Sequence, residues 1–439
     1  MADHASLTAR DEAQVSRSHW RPAILAATAS YFDAGAIVAG AVALPLWAEE
    51  FSLGTTAVGL IGAFSANGIS TGIGALVGGY LGDRFGRRVI YTWDLLLYIV
   101  GVLVIVFAPS AGIVILGYVL TGFAAGADIP NSMSLLAEIA PRKSRSKIVG
   151  LAPVLWYLGP LVVTGMSVAM HSLGLLGARI IFAHLAVVAL VVWILRRSMV
   201  ESPRWTELKE AARESQGATA RSVRTSRSAL KAALPAFVFM GALVTVWNIP
   251  AGTYGFFFPY LLRTAGAHSA FAADFLNMML FVIGIITLTV FLFIGDRVNR
   301  RVSYAVFSAV AALGFFLFLF LFMPVTSTVA VVLNLILMGV GGFSVTFHLW
   351  SVWSTELFAT NVRASAQGWT IAVSRVALGL WSLALPAITG TFGFTTVAVM
   401  LGCMYVFGVV FGGLFGPSTQ GKSLEQIRFS WSANFRSSG

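Results

Sequence analysis

Charge is what this sequence has least of. Only 11% of its 439 residues are Asp, Glu, Lys or Arg, where a soluble domain carries about 25%. No water-soluble fold of that length hides 57% hydrophobic residues, so a soluble enzyme, a secreted scaffold and a disordered chain are excluded. Cysteine is nearly absent. The single Cys403, in an apolar run, rules out an intrachain disulfide and leaves no cysteine cluster for a metal. A G-x-x-x-x-G-K-[ST] loop is missing, so ATP-driven pumping has no support. Gly421-Lys422-Ser423 is only the tail end of such a loop. Acids are scarcer than bases, 18 against 29, for a net charge of +11. In a soluble protein that excess would point to nucleic acid. Here it reads as loop charge that orients helices, and no nucleic-acid partner is expected.

What the chain has instead is long apolar runs, with a mean hydropathy of +0.83. Runs of about 20 residues read as membrane-spanning helices, and their continuity argues against the alternating strands of a barrel. Twelve are found, at 22–47, 56–81, 89–108, 111–137, 146–170, 177–197, 232–262, 270–294, 302–323, 327–352, 364–388 and 393–415. The first is long, contains Asp33 and lacks a small-residue cleavage site, so it is expected to be a retained helix rather than a signal peptide. With the N-terminus inside, all lysines and arginines but Arg179, Arg263 and Arg375 fall in inner segments. This is the positive-inside pattern, and it predicts that both termini are cytoplasmic.

The chain also repeats. Gly82-Asp83-Arg84-Phe85-Gly86-Arg87-Arg88 follows the second run, and Gly295-Asp296-Arg297-Val298-Asn299-Arg300-Arg301 follows the eighth. Glu138 precedes Arg145 by seven residues, and Glu356 precedes Arg363 by seven. Val200-Glu201-Ser202-Pro203-Arg204-Trp205 follows the sixth run, and Pro417 through Glu425 follows the twelfth. Three charged motifs recur at nearly one offset. The organisation is therefore a tail (1–21), a six-helix bundle (22–197), a polar linker (198–231), a second six-helix bundle (232–415) and a tail (416–439). Parallel repeats of this kind place a substrate site between the halves at mid-membrane.

Together these motifs resemble the major facilitator superfamily over nearly the whole chain. The E-S-P-R-W and P-x-x-x-G-K-x-L-E marks resemble its sugar porter and organic-ion transporter branch. Ala127-Asp128-Ile129-Pro130 resembles an A-D-x-P motif of bacterial inner-membrane metabolite transporters. The resemblance implies an all-α membrane protein of twelve helices in two pseudo-symmetric six-helix bundles, lodged in a bacterial inner membrane as a monomer. It also implies a conformational lock formed by Asp83, Arg84, Arg87, Arg88, Glu138, Arg145, Asp296, Arg297, Arg300, Glu356 and Arg363. Ionic links at helix ends suit that role, because they tie helices in one state and release them in the other. The alternative is that the basic residues are merely topology anchors.

Four charges sit well inside apolar runs, away from their ends: Asp33, Asp94, Asp128 and Arg375. Such groups are costly in a membrane and usually face a cavity or a partner. Asp33 is near the middle of its run, where a charged carboxylate is expensive and a proton-loading role is expected. Sugar porters that couple to protons carry an Asp on this helix. Asp128 lies ten residues before Glu138, about 15 Å along a helix, and is a second candidate for proton coupling or substrate contact. Pro130 beside it can kink the helix. The helix 4 Arg of sugar porters is missing, Tyr118 standing in its place. Arg375 offers a planar fork for a carboxylate or phosphate, or it neutralises Asp33 or Asp128. Asp94 is expected to pair with the charge cluster at Arg88.

The hexose-binding glutamines of sugar porters are replaced by Pro153 and Pro160 on helix 5 and by Val246 and Trp247 on helix 7. The remaining polar and aromatic candidates for a cavity are Trp156, Tyr157, Trp247, Asn248, Tyr254, Asn277, Asn334, His348, Trp350, Trp353, Gln367 and Trp369. Trp247-Asn248 stands out, because Pro250 and Gly252 predict a helix broken there, with exposed backbone lining a cavity. His348 is a possible further proton group. The sequence therefore predicts a proton-linked secondary transporter of a small polar metabolite, with no cofactor beyond the coupling proton. A carboxylate or acidic sugar fits Arg375, and a neutral sugar is the alternative. A uniporter, an exporter and a non-transporting receptor are weaker readings.

Overall fold

A computed structural model of the chain describes residues 17–139, 148–199, 206, 209–210, 227–264, 268–295, 297–320, 324–358 and 363–417. Among these residues the secondary structure is helical, with no strand. The first half comprises α1 (Arg17–Glu50), α2 (Thr55–Phe64 and Ile69–Phe85), α3 (Arg87–Val106), α4 (Ala111–Ile139), α5 (Leu151–Ala169) and α6 (Leu175–Arg196). The second comprises α7 (Arg227–Thr264), α8 (Ala270–Ile294), α9 (Arg300–Phe320) and α10, which runs Thr328–Leu337, Met338–Val345 and Thr346–Leu357. Its last element, Arg363–Phe415, is two helices joined at Gly393, whose φ of 79° turns the chain. These are α11 (363–392) and α12 (394–415), so the twelve expected spans are all present.

Large apolar side chains such as Phe293, Phe107, Trp93 and Val187 stand exposed around the bundle. A soluble monomer could not carry such a surface, and in a bilayer it is the lipid face. Inside, α2 packs on α4 in the first half as α8 packs on α10 in the second. The halves meet through α2 with α11, α1 with α7, α5 with α8 and α4 with α10. Without a hydrophobic drive in lipid, small residues let backbones approach and dispersion hold them. Gly126 of α4 is one such case, since a Cβ there would stand 2.1 Å from the Thr71 carbonyl of α2.

Two helices depart from regular geometry. α2 breaks at Ser65-Ala66-Asn67-Gly68, where the sequence predicts an unbroken span. Hydroxyls satisfy the released backbone there: Ser65 donates to Gly62 O at 2.8 Å, Ser70 to Phe64 O at 2.9 Å, and Thr71 to Ala66 O. The break expected at Pro250 does not occur, and α7 stays helical from Arg227 to Thr264. In α10, Met338–Val345 is a π-helical turn, a geometry that leaves carbonyls without their usual partners. Gly342 O accepts from Trp247 Nε1 at 2.6 Å, Tyr405 Oη at 2.9 Å and Thr346 Oγ1 at 3.1 Å.

Candidate functional site

A cavity lies where the two halves meet, lined by residues of both. Its polar lining is Ser30, Asp33, Asn67, Asn248, Ser374 and Arg375. Its aromatic lining is Trp156, Trp247, Trp350, Phe343 and Phe347.

One network crosses this cavity. Arg375 Nη2 of α11 lies 3.0 Å from Asp33 Oδ2 of α1, so a base from the second half meets an acid from the first. Trp156 Nε1 of α5 donates to the same carboxylate at 3.3 Å. The other amino group of Arg375 donates to Asn67 Oδ1, at the break in α2. Asn67 Nδ2 in turn donates to Gly252 O of α7 at 2.9 Å. Asn248 Nδ2 reaches Ser374 Oγ at 3.4 Å, while the N–H of Trp350 has no acceptor among the described residues. All these side chains are buried. A fully desolvated ion pair needs such flanking hydrogen bonds to offset its dehydration.

Of the residues singled out from sequence, Asp33, Arg375, Trp156, Trp247, Asn248 and Trp350 share this cavity. Asn67 joins them and was missed, because a lone Asn in an apolar run carries no signal of its own. Asp128 does not share it. Ile129 and Met133 of α4 face the cavity, and Asp128 points elsewhere into the first half. Its Oδ2 lies 2.6 Å from Arg196 Nη1, and its Oδ1 accepts from Ser132 at 2.6 Å. Asp94 belongs to the same cluster, 3.8 Å from Arg196, rather than to Arg88. Arg196 also donates to the Leu25 and Ala26 carbonyls of α1 and lies over the Tyr91 ring. It is a buried tie, not a loop anchor.

Other candidates are also displaced. Tyr254 is bonded to Asn334 Oδ1 at 2.8 Å inside the second half. Asn277 is fully buried, with no partner for its amide among the described residues, and lies outside the cavity lining. His348 lines a separate small pocket with Arg300 and Phe291. Trp353 and Tyr157 are core residues, and Trp369 faces outward. Gln367 accepts from Ser134 at 3.3 Å and donates to Ser354 at 3.4 Å. It straps the halves together beside the cavity instead of lining it.

The basic-loop face of the bundle carries further links. Arg87 Nη2 lies 3.1 Å from Asp83 and 3.0 Å from Glu138, and Arg300 bonds both Glu356 oxygens at 3.2 and 3.0 Å. These two pairs are counterparts in the two halves. Across the halves, Asp83 Oδ2 accepts from the Ser365 amide at 2.8 Å and its hydroxyl at 2.7 Å. The carboxylate thus caps the N-terminus of α11, where backbone N–H groups are unpaired and the helix dipole favours an anion. Arg363 Nη1 lies 3.9 Å from Glu138. Arg84 instead turns to Tyr80 on its own helix at 2.9 Å, and Arg88 and Arg297 are exposed. Arg145 and Asp296 lie outside the described residues. On the opposite face Asp274 of α8 accepts from Ser167 of α5 at 2.7 Å and from Arg263 of α7 at 3.2 Å. Contacts therefore bridge the halves on both sides of the cavity.

A family model described as Major Facilitator Superfamily matches residues 23–381. The minor myo-inositol transporter IolF of Bacillus subtilis (strain 168) is 38% identical over 412 residues, covering 92% of each chain. The inner membrane metabolite transport protein YgcS of Escherichia coli (strain K12) is 25% identical over 437 residues, covering 93% of this chain and 94% of its own. The chain superposes on the proton:xylose symporter XylE bound to 6-bromo-6-deoxy-D-glucose with a TM-score of 0.76 at 19% identity, covering 94% of this chain and 99% of that one. A partially occluded inward-open form of the xylose transporter from E. coli gives 0.73 at 18% identity, covering 93% and 100%. At these identities the two structures speak for the fold.

Proposed function

The chain belongs to the major facilitator superfamily, and on that premise we propose that it carries a neutral polyol or sugar together with a proton. It is a multi-pass membrane transporter and not an enzyme. The observation that carries the finer reading is the Asp33–Arg375 pair in the cavity between the halves. An anionic solute needs an arginine with charge to spare. Here Asp33 balances Arg375, and Asn67 takes its second amino group, so the carboxylate preference expected from an isolated arginine loses its ground. The cavity's formal charge is zero, which suits a neutral solute. Its polar groups, among them Ser30 and Trp350 Nε1, which has no acceptor among the described residues, suit hydroxyl groups. Trp156, Trp247 and Trp350 offer flat faces to a ring. The myo-inositol transporter among its relatives points to the same solute class.

Coupling follows from the pair. While Asp33 is charged, it holds Arg375 of the other half across the cavity. A proton on Asp33 removes the attraction, and the halves can part about the solute. Proton and solute thus bias one bistable interface. By the distribution of basic loops, the face with the Asp83 and Glu138 links is cytoplasmic and both termini lie there.

Proteoliposomes test this with radiolabelled myo-inositol, xylose and gluconate, with and without an imposed pH gradient. Accumulation of a neutral polyol or sugar is expected, rising with the gradient. Asp33→Asn is expected to abolish gradient-driven accumulation while exchange of internal for external solute persists. Preference for gluconate, or accumulation indifferent to the gradient, would sink the reading.

A further inference from the structure

We propose that Asn67 is a positioning residue for proton coupling, the neutral acceptor that holds Arg375 when Asp33 takes up its proton. This rests on the proton-coupled reading above. The argument begins with a difficulty in that reading. Protonating Asp33 strands a buried guanidinium without an anion, and a stranded charge at this depth is strongly unfavourable. Among the residues lining the cavity, Asp33 and Arg375 are the charged or titratable ones. α4, α5, α7 and α10 contribute apolar groups, indoles and amides. No second acid is at hand to relieve Arg375.

Asn67 relieves it. Arg375 Nη1 already donates to Asn67 Oδ1, and Asn67 O lies 3.4 Å away. Both acceptors sit where the α2 helix is interrupted, and a continuous helix would have spent that carbonyl on its own backbone. The interruption is built, since Ser65, Ser70 and Thr71 satisfy the backbone around it and Ser65 Oγ accepts from the Asn67 amide at 3.1 Å. The side chain is also fixed at its far end, by Nδ2 on Gly252 O of α7. Arg375 thus has one charged and one neutral partner, both in the first half. Loading Asp33 shifts it toward the neutral one. Because Asn67 is tied to α7, that shift reaches the helix facing α1.

An amide here, not a carboxylate, makes the state of Asp33 matter. Asn67→Asp gives Arg375 a second anion that stays when Asp33 is protonated. Reconstituted full-length protein is assayed in two modes with myo-inositol: accumulation under an imposed pH gradient, and exchange without one. Asn67→Asp is expected to lose gradient-driven accumulation by roughly ten-fold or more, the scale of an ordinary coupling between two sites. Its exchange falls much less. Asn67→Ala, which leaves Arg375 with no neutral acceptor, is expected to slow both modes. Arg375→Lys is the second test, because a compact ammonium cannot span Asp33 and Asn67 at once, and it is expected to show the same split as Asn67→Asp. Wild-type accumulation in Asn67→Asp or in Arg375→Lys overturns the proposal. So does an equal fall of both modes in Asn67→Asp and Asn67→Ala at an unchanged melting temperature, which marks a packing role. If the unaltered protein ignores the gradient, the proton-coupled reading falls and Asn67's role falls with it. If it responds and Asn67→Asp responds equally, only the role of Asn67 falls.

Discussion

Arg196 shows how far a single side chain can be misjudged from its place in the sequence. It closes an apolar run, next to Arg197, and counts among the loop charges that orient the helices. In the fold it turns inward, is 2% exposed, and meets Asp128 at 2.6 Å and Asp94 at 3.8 Å. Its remaining donors go to the Leu25 and Ala26 carbonyls and the Thr28 hydroxyl of α1. It therefore ties α6 to α1, α3 and α4. Removing one partner of a buried ion pair typically costs about 3–5 kcal/mol, since the charge left behind is uncompensated. Arg196→Met is expected to lower the melting temperature of detergent-solubilised protein by several degrees. Asp94→Asn, which leaves the close Asp128 contact intact, should lower it less. Wild-type melting of Arg196→Met would show that the cluster contributes nothing to stability. Depth was legible for Asp33, Asp94, Asp128 and Arg375, because a charge inside an apolar run is conspicuous. Direction around the helix was not. A helix apolar on all sides has no contrast to separate cavity face from packing face, so nothing in the sequence separates Asp33, which lines the cavity, from Asp128, which does not.

At the scale of elements, α2 shows a different limit. Its span was legible, but its break at Ser65–Gly68 was not, while a break was expected in α7 at Pro250. A proline announces a lost backbone hydrogen bond, yet neighbouring helices in a bundle absorb that loss and α7 continues. The α2 break is met by tertiary partners, Arg375 and Gly252, that lie 308 and 185 residues from Asn67. The grip of α4 on α2 is likewise tertiary. Gly126 tolerates no Cβ beside the Thr71 carbonyl, whereas Gly165 of α5 has open space around its missing Cβ. Gly126→Val is expected to destabilise the first half by about 1–3 kcal/mol, the usual cost of overpacking. Gly165→Ala is expected to be near neutral. Melting temperatures of the two variants, read side by side, check the contrast. An equal effect of both would mean that close α2–α4 approach is not what the glycine secures.

At the scale of the whole molecule, the question is which contacts hold the two halves shut on each side. On the basic-loop face Asp83 caps α11 through Ser365, an interaction between halves that both ends make with good geometry. On the opposite face Asp274 of the second half accepts from Ser167 of the first. A hydrogen bond to a charged group is worth about 1.5–3 kcal/mol, so losing one shifts a two-state balance by roughly ten-fold or more. The two substitutions should therefore act in opposite directions. Asp83→Asn weakens the basic-side closure and is expected to expose the cavity to that side. Asp274→Asn is expected to expose it to the other. Cys403 is exposed, so Cys403→Ser provides a clean background in which Met133→Cys, lining the cavity, reports access to a membrane-impermeant thiol reagent. Right-side-out and inside-out vesicles give the two sides. Faster labelling from the basic-loop side in Asp83→Asn and from the far side in Asp274→Asn is the expected pair of results. Labelling that rises from the same side in both variants would mean that these carboxylates brace the individual halves and do not latch them to one another. The gating function would then have to rest on Glu138 with Arg363 and on the Ser134–Gln367–Ser354 strap.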